Sequence, residues 1–296
     1  MKGRRFRPHK PGGINPSGFD RSQIKFYAYL IPVAAFMAIP ILFIVANAFK
    51  PIDELFAYPP RPYVQRPTLE NFRQLFSISG TSNVPASRYL LNSLLITGIA
   101  VFASLYISAS VGYVFSKKRF RGRDKLFAVN TLALMFVPVA VAIPRYFVVV
   151  YTGLHDNFLA HILPMLAMPV GVFLIKQFID QLPDALIEAA VIDGASDFKI
   201  LHKIILPLTK PALATLAIQM FQTAWNSVEA STYFIDTESL KSFSFYMTTL
   251  SNTAGNSVAG QGVSAASALI LFLPNLILFI ILQSRVMNTM AHSGIK

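Results

Sequence analysis

The stretch Glu188-Ala189-Ala190-Val191-Ile192-Asp193-Gly194, followed by nine residues and closed by Ile204-Ile205-Leu206-Pro207, decides how the rest of the chain is read. Just upstream, Pro183 and Asp184 mark a helix start. Proline suits the first turn, and an acidic side chain suits the positive end of the helix dipole. The pattern predicts a helix through Ala185 to Asp193, stopped by Gly194 where the backbone must turn through positive φ. Ser196 then caps a second helix that runs through Phe198, Leu201 and Ile205 towards Pro207. Small side chains at Ala189, Ala190 and Ala195 make the pair a compact knob that a partner's groove can approach closely. Glu188, Asp193 and Lys199 supply polar contacts at its rim. The knob lies between two long apolar runs, and an ordered, polar-edged element there calls for something that grips it. The plainer reading is a helix lying on the bilayer surface. Against it, Asp184, Glu188, Asp193 and Asp197 make acids as common here as bases, and anionic lipid repels acids.

Composition places this knob in a membrane protein. Of 296 residues, 54% are hydrophobic and 14% charged, where a soluble domain carries about 25% charged residues; the mean hydropathy is +0.51. No cysteine is present, which excludes disulfides and thiolate metal sites. The five histidines are scattered, without metal-ligand spacing. The net charge of +12 does not point to nucleic acid, because of where it sits. Seven Lys/Arg lie in residues 1–25 and six between Lys117 and Lys125, and both clusters flank apolar runs.

A bilayer core of ~30 Å needs about 20 helical residues. Apolar runs of that order occur near 26–49, 89–115, 126–151, 157–179, 208–229 and 264–287. The first is longer than a signal-peptide core and reads as a retained span. Six spans put both termini on one side. The N-terminal arm, the 117–125 loop, the 176–210 region and the tail together hold 19 of the 26 Lys/Arg on that side, which makes it cytoplasmic. The expected fold is therefore an all-α membrane protein with six transmembrane helices. Residues 1–25 form a basic, disordered cytoplasmic arm, and 26–296 the transmembrane domain, with the knob at 183–205. The outer segment 50–88 contains a short helix around Leu69 to Phe76.

Two patterns lie inside the spans. Ala100, Ser104, Ser108 and Gly112 recur every fourth residue as a seam for close helix packing. Thr215, Gln219, Gln222, Asn226 and Glu229 fall on one helical face. They either line a polar path or make interhelical hydrogen bonds. Arg145 either snorkels to the outer interface, pairs with Glu229, or touches substrate. Prolines 138, 144, 164, 169 and 274 are expected to kink or break their spans.

The knob resembles the signature of permease subunits in binding-protein-dependent ABC importers: E-A-A, three residues, G, nine residues, I-x-L-P. Glu188, Ala189, Ala190, Gly194, Ile204, Leu206 and Pro207 fill every position. Asn92-Ser93, Phe120-Arg121-Gly122, Pro138, Pro144, Gly153-Leu154, Ile192-Asp193-Gly194 and Trp225-Asn226 resemble the sugar-importing branch. The similarity covers the chain from about Leu69 onward and is closest to the maltose-type second permease.

The resemblance implies a type I ABC importer permease (MetI-like) fold in a prokaryotic cytoplasmic membrane. It implies a second homologous permease, two cytoplasmic ATPase subunits, an extracytoplasmic solute-binding protein and a carbohydrate cargo, an oligosaccharide, with the lipid bilayer and no nucleic acid as its surroundings. Coupling to the ATPase would fall to Glu188, Ala189, Ala190, Asp193, Gly194, Ala195, Leu206 and Pro207. The substrate path would be lined by Gln219, Gln222, Asn226, Glu229 and Arg145, with Trp225 as a sugar-stacking platform. Residues 225–228 read Trp-Asn-Ser-Val rather than the common W-N-x-F. The chain carries no phosphate-binding G-x-x-x-x-G-K-[ST] loop, so it binds no cofactor itself; ATP and Mg2+ belong to the partner ATPase. The family also assigns Ala291–Lys296 a contact at the ATPase interface, against the alternative of a frayed end.

Two further readings remain. One is the same machinery carrying a non-sugar solute. The other is an ion-coupled secondary transporter, which needs intramembrane carboxylates where only Glu229 is available. A membrane enzyme has no paired acids, histidine cluster or Ser-His-Asp set in the spans to work with.

Overall fold

A computed structural model describes residues 23–78, 84–254, 258 and 260–293. The expected basic arm, except for its last residues, and the end of the tail lie outside the described residues. Among the described residues every regular element is helical. Three helices are long and apolar enough to cross a membrane, and there are six crossings if each of three bent helix pairs counts as one.

The first long helix, α1 (Ile24–Phe49), leaves nearly all its side chains exposed and packs on the last helix. One-turn α2 (Ile52–Leu55) and α3 (Glu70–Ile78) follow outside the apolar run. Asn71 on α3 donates from Nδ2 to the carbonyls of Ala48 (3.0 Å) and Lys50 (2.8 Å), which ties α3 to the end of α1. The second long helix, α4 (Ala86–Lys117), is the central element. Its small-residue seam is buried at Ala100, Ser104, Ser108 and Gly112, as the four-residue spacing requires. A Cβ on Gly112 would sit 3.0 Å from Ile175 Cγ2 and 3.2 Å from the Lys176 backbone nitrogen. The seam thus sets how closely the next packed helix approaches.

The third expected span is not a straight crossing. Helices α5 (Arg123–Ala133) and α6 (Ala142–Tyr151) are separated by a break and a 3₁₀ turn at Pro138–Val141, and the two halves bend by 107°. Val137 is extended (φ −74°, ψ 133°), the conformation that a following proline imposes. The fourth, from Phe158 through α7 (Leu163–Leu166) to α8 (Pro169–Asp180), bends by 41° ahead of Pro169. Pro144 and Pro274, by contrast, do not break their helices. Pro144 occupies the first turn of α6, where no hydrogen bond is lost, and Pro274 lies within a continuous final helix.

After α8 come the knob helices α9 (Asp184–Ile192) and α10 (Asp197–Ile200), a π-helical turn at Leu201–Ile205, and α11 (Leu206–Leu208). The chain turns by 81° at Thr209 into α12 (Lys210–Trp225). Pro211 explains the turn: it lacks an N–H and its ring clashes with the carbonyl four residues back. The expected fifth span is also interrupted at its C-terminal end, where α12 stops and α13 (Glu229–Tyr233) restarts. Finally α14 (Phe243–Ala254) and α15 (Gln261–Ser293) pack together, with α12 against both α4 and α15.

Candidate functional site

Two regions hold most of the residues singled out in the sequence. The first is the knob. Its hinge is a Schellman motif: Ala195 N donates to Ala190 O at 2.9 Å, and Gly194 N donates to Val191 O at 3.0 Å. Gly194 takes φ +73° to make it, the left-handed region that side chains with a Cβ avoid. Ser196 caps α10, its Oγ accepting from Lys199 N at 3.4 Å. Ile187, Ile200, Leu201 and Ile205 are buried with Tyr113, Ile175, Ile179 and Leu216. The knob is therefore seated on α4, α8 and α12 rather than hanging as a loop.

Two lysines from the basic cluster brace it. Lys117 Nζ donates to Leu182 O (2.7 Å) and Asp184 Oδ1 (2.5 Å). Lys118 pairs with Asp197, which also accepts from the Tyr113 hydroxyl at 3.2 Å. The Lys118 hydrogen bond holds the Asp197 carboxyl below its ordinary range and raises the Lys118 ammonium. Asp184 and Asp197 are thus braces, which sequence spacing alone did not reveal.

The outward face of the knob is apolar with a charged rim. Ile192 is 85% exposed and Phe198 67%, beside exposed Glu188, Ala189, Asp193 and Gly194. The expected role of the small residues needs correction here. Ala190 and Ala195 pack inward on the chain's own core, where their size lets the two helices close, and only Ala189 faces outward. Leu206 also packs on that core, while Pro207 is exposed.

The second region is a cavity of about 480 Å³ where the breaks in the third, fourth and fifth crossings meet. It brings together Arg145, Glu229 and Gln219 from the predicted path. Arg145 pairs with Glu229: Nη1 donates to Oε2 at 2.8 Å and to Oε1 at 3.0 Å. Of the alternatives for Arg145, the ion pair is the one formed. His161, Thr223 and Ser227 also line the cavity; no sequence pattern had marked them. His161 donates from Nε2 to Leu240 O at 3.1 Å. The segment after Phe234 is pinned by Asp156, whose Oδ1 accepts from Asp236 N (3.0 Å) and Thr237 N (2.8 Å). The Thr237 hydroxyl and amide hold the Asp156 carboxyl below its ordinary range.

Three predicted path residues, Gln222, Asn226 and Trp225, lie elsewhere. Gln219, Met220, Thr223 and Ser227 line the cavity, whereas Gln222 and Asn226 do not. At 3.6 residues per turn the cavity face is rotated about a quarter turn from the predicted polar stripe. Asn226 instead faces the final helix, its Oδ1 accepting from Asn275 Nδ2 at 3.2 Å, and Thr215 returns its hydroxyl to Pro211 O at 3.3 Å. Trp225 is not a stacking platform. It is 3% exposed, buried with Phe243 and Tyr246, and Nε1 donates to Leu271 O at 3.1 Å. An indole that must satisfy its N–H inside a helix interface has no face left for a ligand.

A family model described as "Binding-protein-dependent transport system inner membrane component" matches residues 104–284, which include both regions. The chain belongs to this family. It is 29% identical over 277 residues to a probable ABC transporter permease protein, YurM, of Bacillus subtilis, across 91% of this chain and 86% of that one. It is 28% identical over 276 residues to the arabinooligosaccharides transport system permease protein AraQ of Halalkalibacterium halodurans, across 91% and 94%. Its fold matches, with a TM-score of 0.71 and 20% identity, a chain from the crystal structure of a bacterial ABC transporter involved in the import of the acidic polysaccharide alginate, across 90% of this chain and 98% of that one. The permease is thus a multi-pass membrane transport subunit and not an enzyme.

Proposed function

We propose that this permease conducts a carbohydrate, in the form of an oligosaccharide, from an extracytoplasmic binding protein into the cytoplasm by ATP-driven alternating access. The observation that carries the reading is the knob: a rigidly seated helix pair whose free face exposes Ile192 and Phe198 to whatever lies beyond the membrane surface. Apolar side chains at the tip of a braced element favour a protein partner over water. That partner is one of two ATPase subunits, and a second homologous permease completes the channel. Closure of the ATPase pair would push the knob and tilt the helices on which it rests, a rigid-body transition of a bundle.

We place six crossings in a prokaryotic cytoplasmic membrane, with both termini, the 117–125 cluster and the knob cytoplasmic. The distribution of Lys and Arg supports this orientation, as does the bracing of the knob by Lys117 and Lys118. Carbohydrate cargo rests on the sugar-branch motifs and on relatives such as AraQ. An ion-coupled mechanism is disfavoured because Glu229, the carboxylate it would use, is already paired with Arg145.

The test is transport in proteoliposomes holding the permease with its neighbouring permease, ATPase and binding protein. Uptake of an oligosaccharide retained by that binding protein should require ATP on the knob side. Uptake driven by an ion gradient without ATP would overturn the proposal.

A further inference from the structure

The cavity at the helix breaks has a charge balance that bears on what passes through it. Among the described residues, Arg145 and Glu229 are the only Asp, Glu, Lys or Arg side chains in its lining. They lie 84 residues apart in the chain and meet because the third and fifth crossings both bend here. Both side chains are partly exposed, 29% and 37%, so each would be available to a ligand if its partner were absent. Together they cancel. A contact ion pair leaves a dipole whose field falls off much faster than that of a single charge, whereas a lone guanidinium in a partly dehydrated site draws anions strongly.

The rest of the lining has matching chemistry. Gln219, Thr223 and Ser227 offer uncharged donors and acceptors, while Phe136, Phe234 and Met165 offer apolar surface. Uncharged polar groups suit hydroxyls, and apolar walls suit the C–H faces of a sugar ring. A uronate carboxylate approaching Arg145 would have to displace Glu229 and would then leave that carboxylate facing a second one.

We propose that the cargo is an electrically neutral oligosaccharide and that the Arg145–Glu229 pair is its specificity determinant, excluding acidic sugars by occupying the Arg145 guanidinium. This deepens the function proposed above and rests on the cavity being the cargo path. Glu229 acts as a built-in competitor, a repulsive element against the wrong substrate.

The experiment is equilibrium binding to the assembled importer in lipid nanodiscs, with maltotriose as the neutral probe, trigalacturonate as the acidic one and a glucosamine trimer as the cationic one. The unaltered importer should prefer maltotriose. Glu229→Gln frees Arg145 and should raise the affinity for trigalacturonate relative to maltotriose by about tenfold or more. Arg145→Gln frees Glu229 and should give the same gain for the glucosamine trimer. It serves as the independent variant if Glu229→Gln does not assemble. An unaltered importer that prefers trigalacturonate, or variants whose charge preference does not change, would overturn the proposal. Absence of binding by all three probes to every form, with ATP-driven uptake intact, would remove the cargo path from this cavity while leaving the importer function standing.

Discussion

The knob and the cavity both depend on interrupted helices, but they are built in different ways. The knob is local. Its turn, cap and exposed face all come from residues 183–208, and tertiary packing only seats it. The cavity is assembled from residues as distant as Ala133 and Phe234, and it exists only because three crossings bend towards one another. The difference teaches where mutation should act sharply. A single backbone change should disable the knob, while the cavity should answer to individual side chains and spare their close neighbours.

The largest effect is expected at Gly194. Gly194→Val places a β-branched residue at φ +73°, a strain of about 1–3 kcal/mol, and breaks both Schellman hydrogen bonds. Coupled ATP hydrolysis in the assembled importer should fall by roughly 5- to 150-fold, converting that strain at ~1.4 kcal/mol per decade. Gly194→Asn, which tolerates the left-handed region, should keep most of it. Equal losses in the two variants would show that backbone conformation at the hinge is not what matters.

Next comes the free face. Glu188→Lys or Ile192→Asp should weaken copurification of the ATPase in detergent while leaving the permease's thermal unfolding unchanged, because both side chains are exposed. Ile200→Asp, at a fully buried position, should instead destabilise the chain by several kcal/mol, on the order of the cost of an unpaired buried charge. A drop in stability with Ile192→Asp would place that residue inside the chain's own packing.

The cavity gives a smaller and more selective contrast. Gln219→Ala should lower oligosaccharide uptake several-fold, about 1 kcal/mol for one hydrogen bond. Gln222→Ala, three residues away but outside the lining, should leave uptake unaltered. Equal effects would erase the rotated face.

The smallest effect concerns acid. The Asp197 carboxyl titrates below its ordinary range in the folded chain. The stability it contributes is therefore present above the unfolded carboxylate value and is lost as pH falls through the lower folded value. Acid unfolding of Asp197→Asn should show a weaker pH dependence in that window. A weakening that appeared instead near neutral pH would point to another group.

How much could be read beforehand follows the same division. Gly194, Ser196 and Pro183 announced the knob because turn and cap chemistry is set by neighbours in sequence. The seam at Ala100, Ser104, Ser108 and Gly112 was legible for the same reason: a fourfold spacing on one helix becomes one buried stripe. The six apolar runs were legible, and Pro138 and Pro169 marked two of the breaks, but the angles were not, since a proline marks a break without giving its angle. Pro138 and Pro169 follow breaks whereas Pro144 and Pro274 sit inside helices. The polar stripe on α12 was projected as if that helix continued to Glu229. Its end at Trp225 left Asn226 facing Asn275 and exposed the Thr223 side to the cavity. His161 escaped notice because an isolated histidine in an apolar run has no spacing partner. The inward turn of Ala190 and Ala195 depends on α4 and α8, which lie far off in sequence.

The proposed place of the knob, on the cytoplasmic side as the handle for the ATPase, is open to direct labelling. The chain has no cysteine, so Ile192→Cys provides a unique reporter on the free face. Labelling with a membrane-impermeant maleimide in sealed vesicles of known orientation tests the claim directly. Ile192→Cys should react in inside-out vesicles stripped of the ATPase, be protected when the ATPase is added back, and stay silent in right-side-out vesicles. Labelling from the outer side, or labelling unaffected by the ATPase, would contradict it.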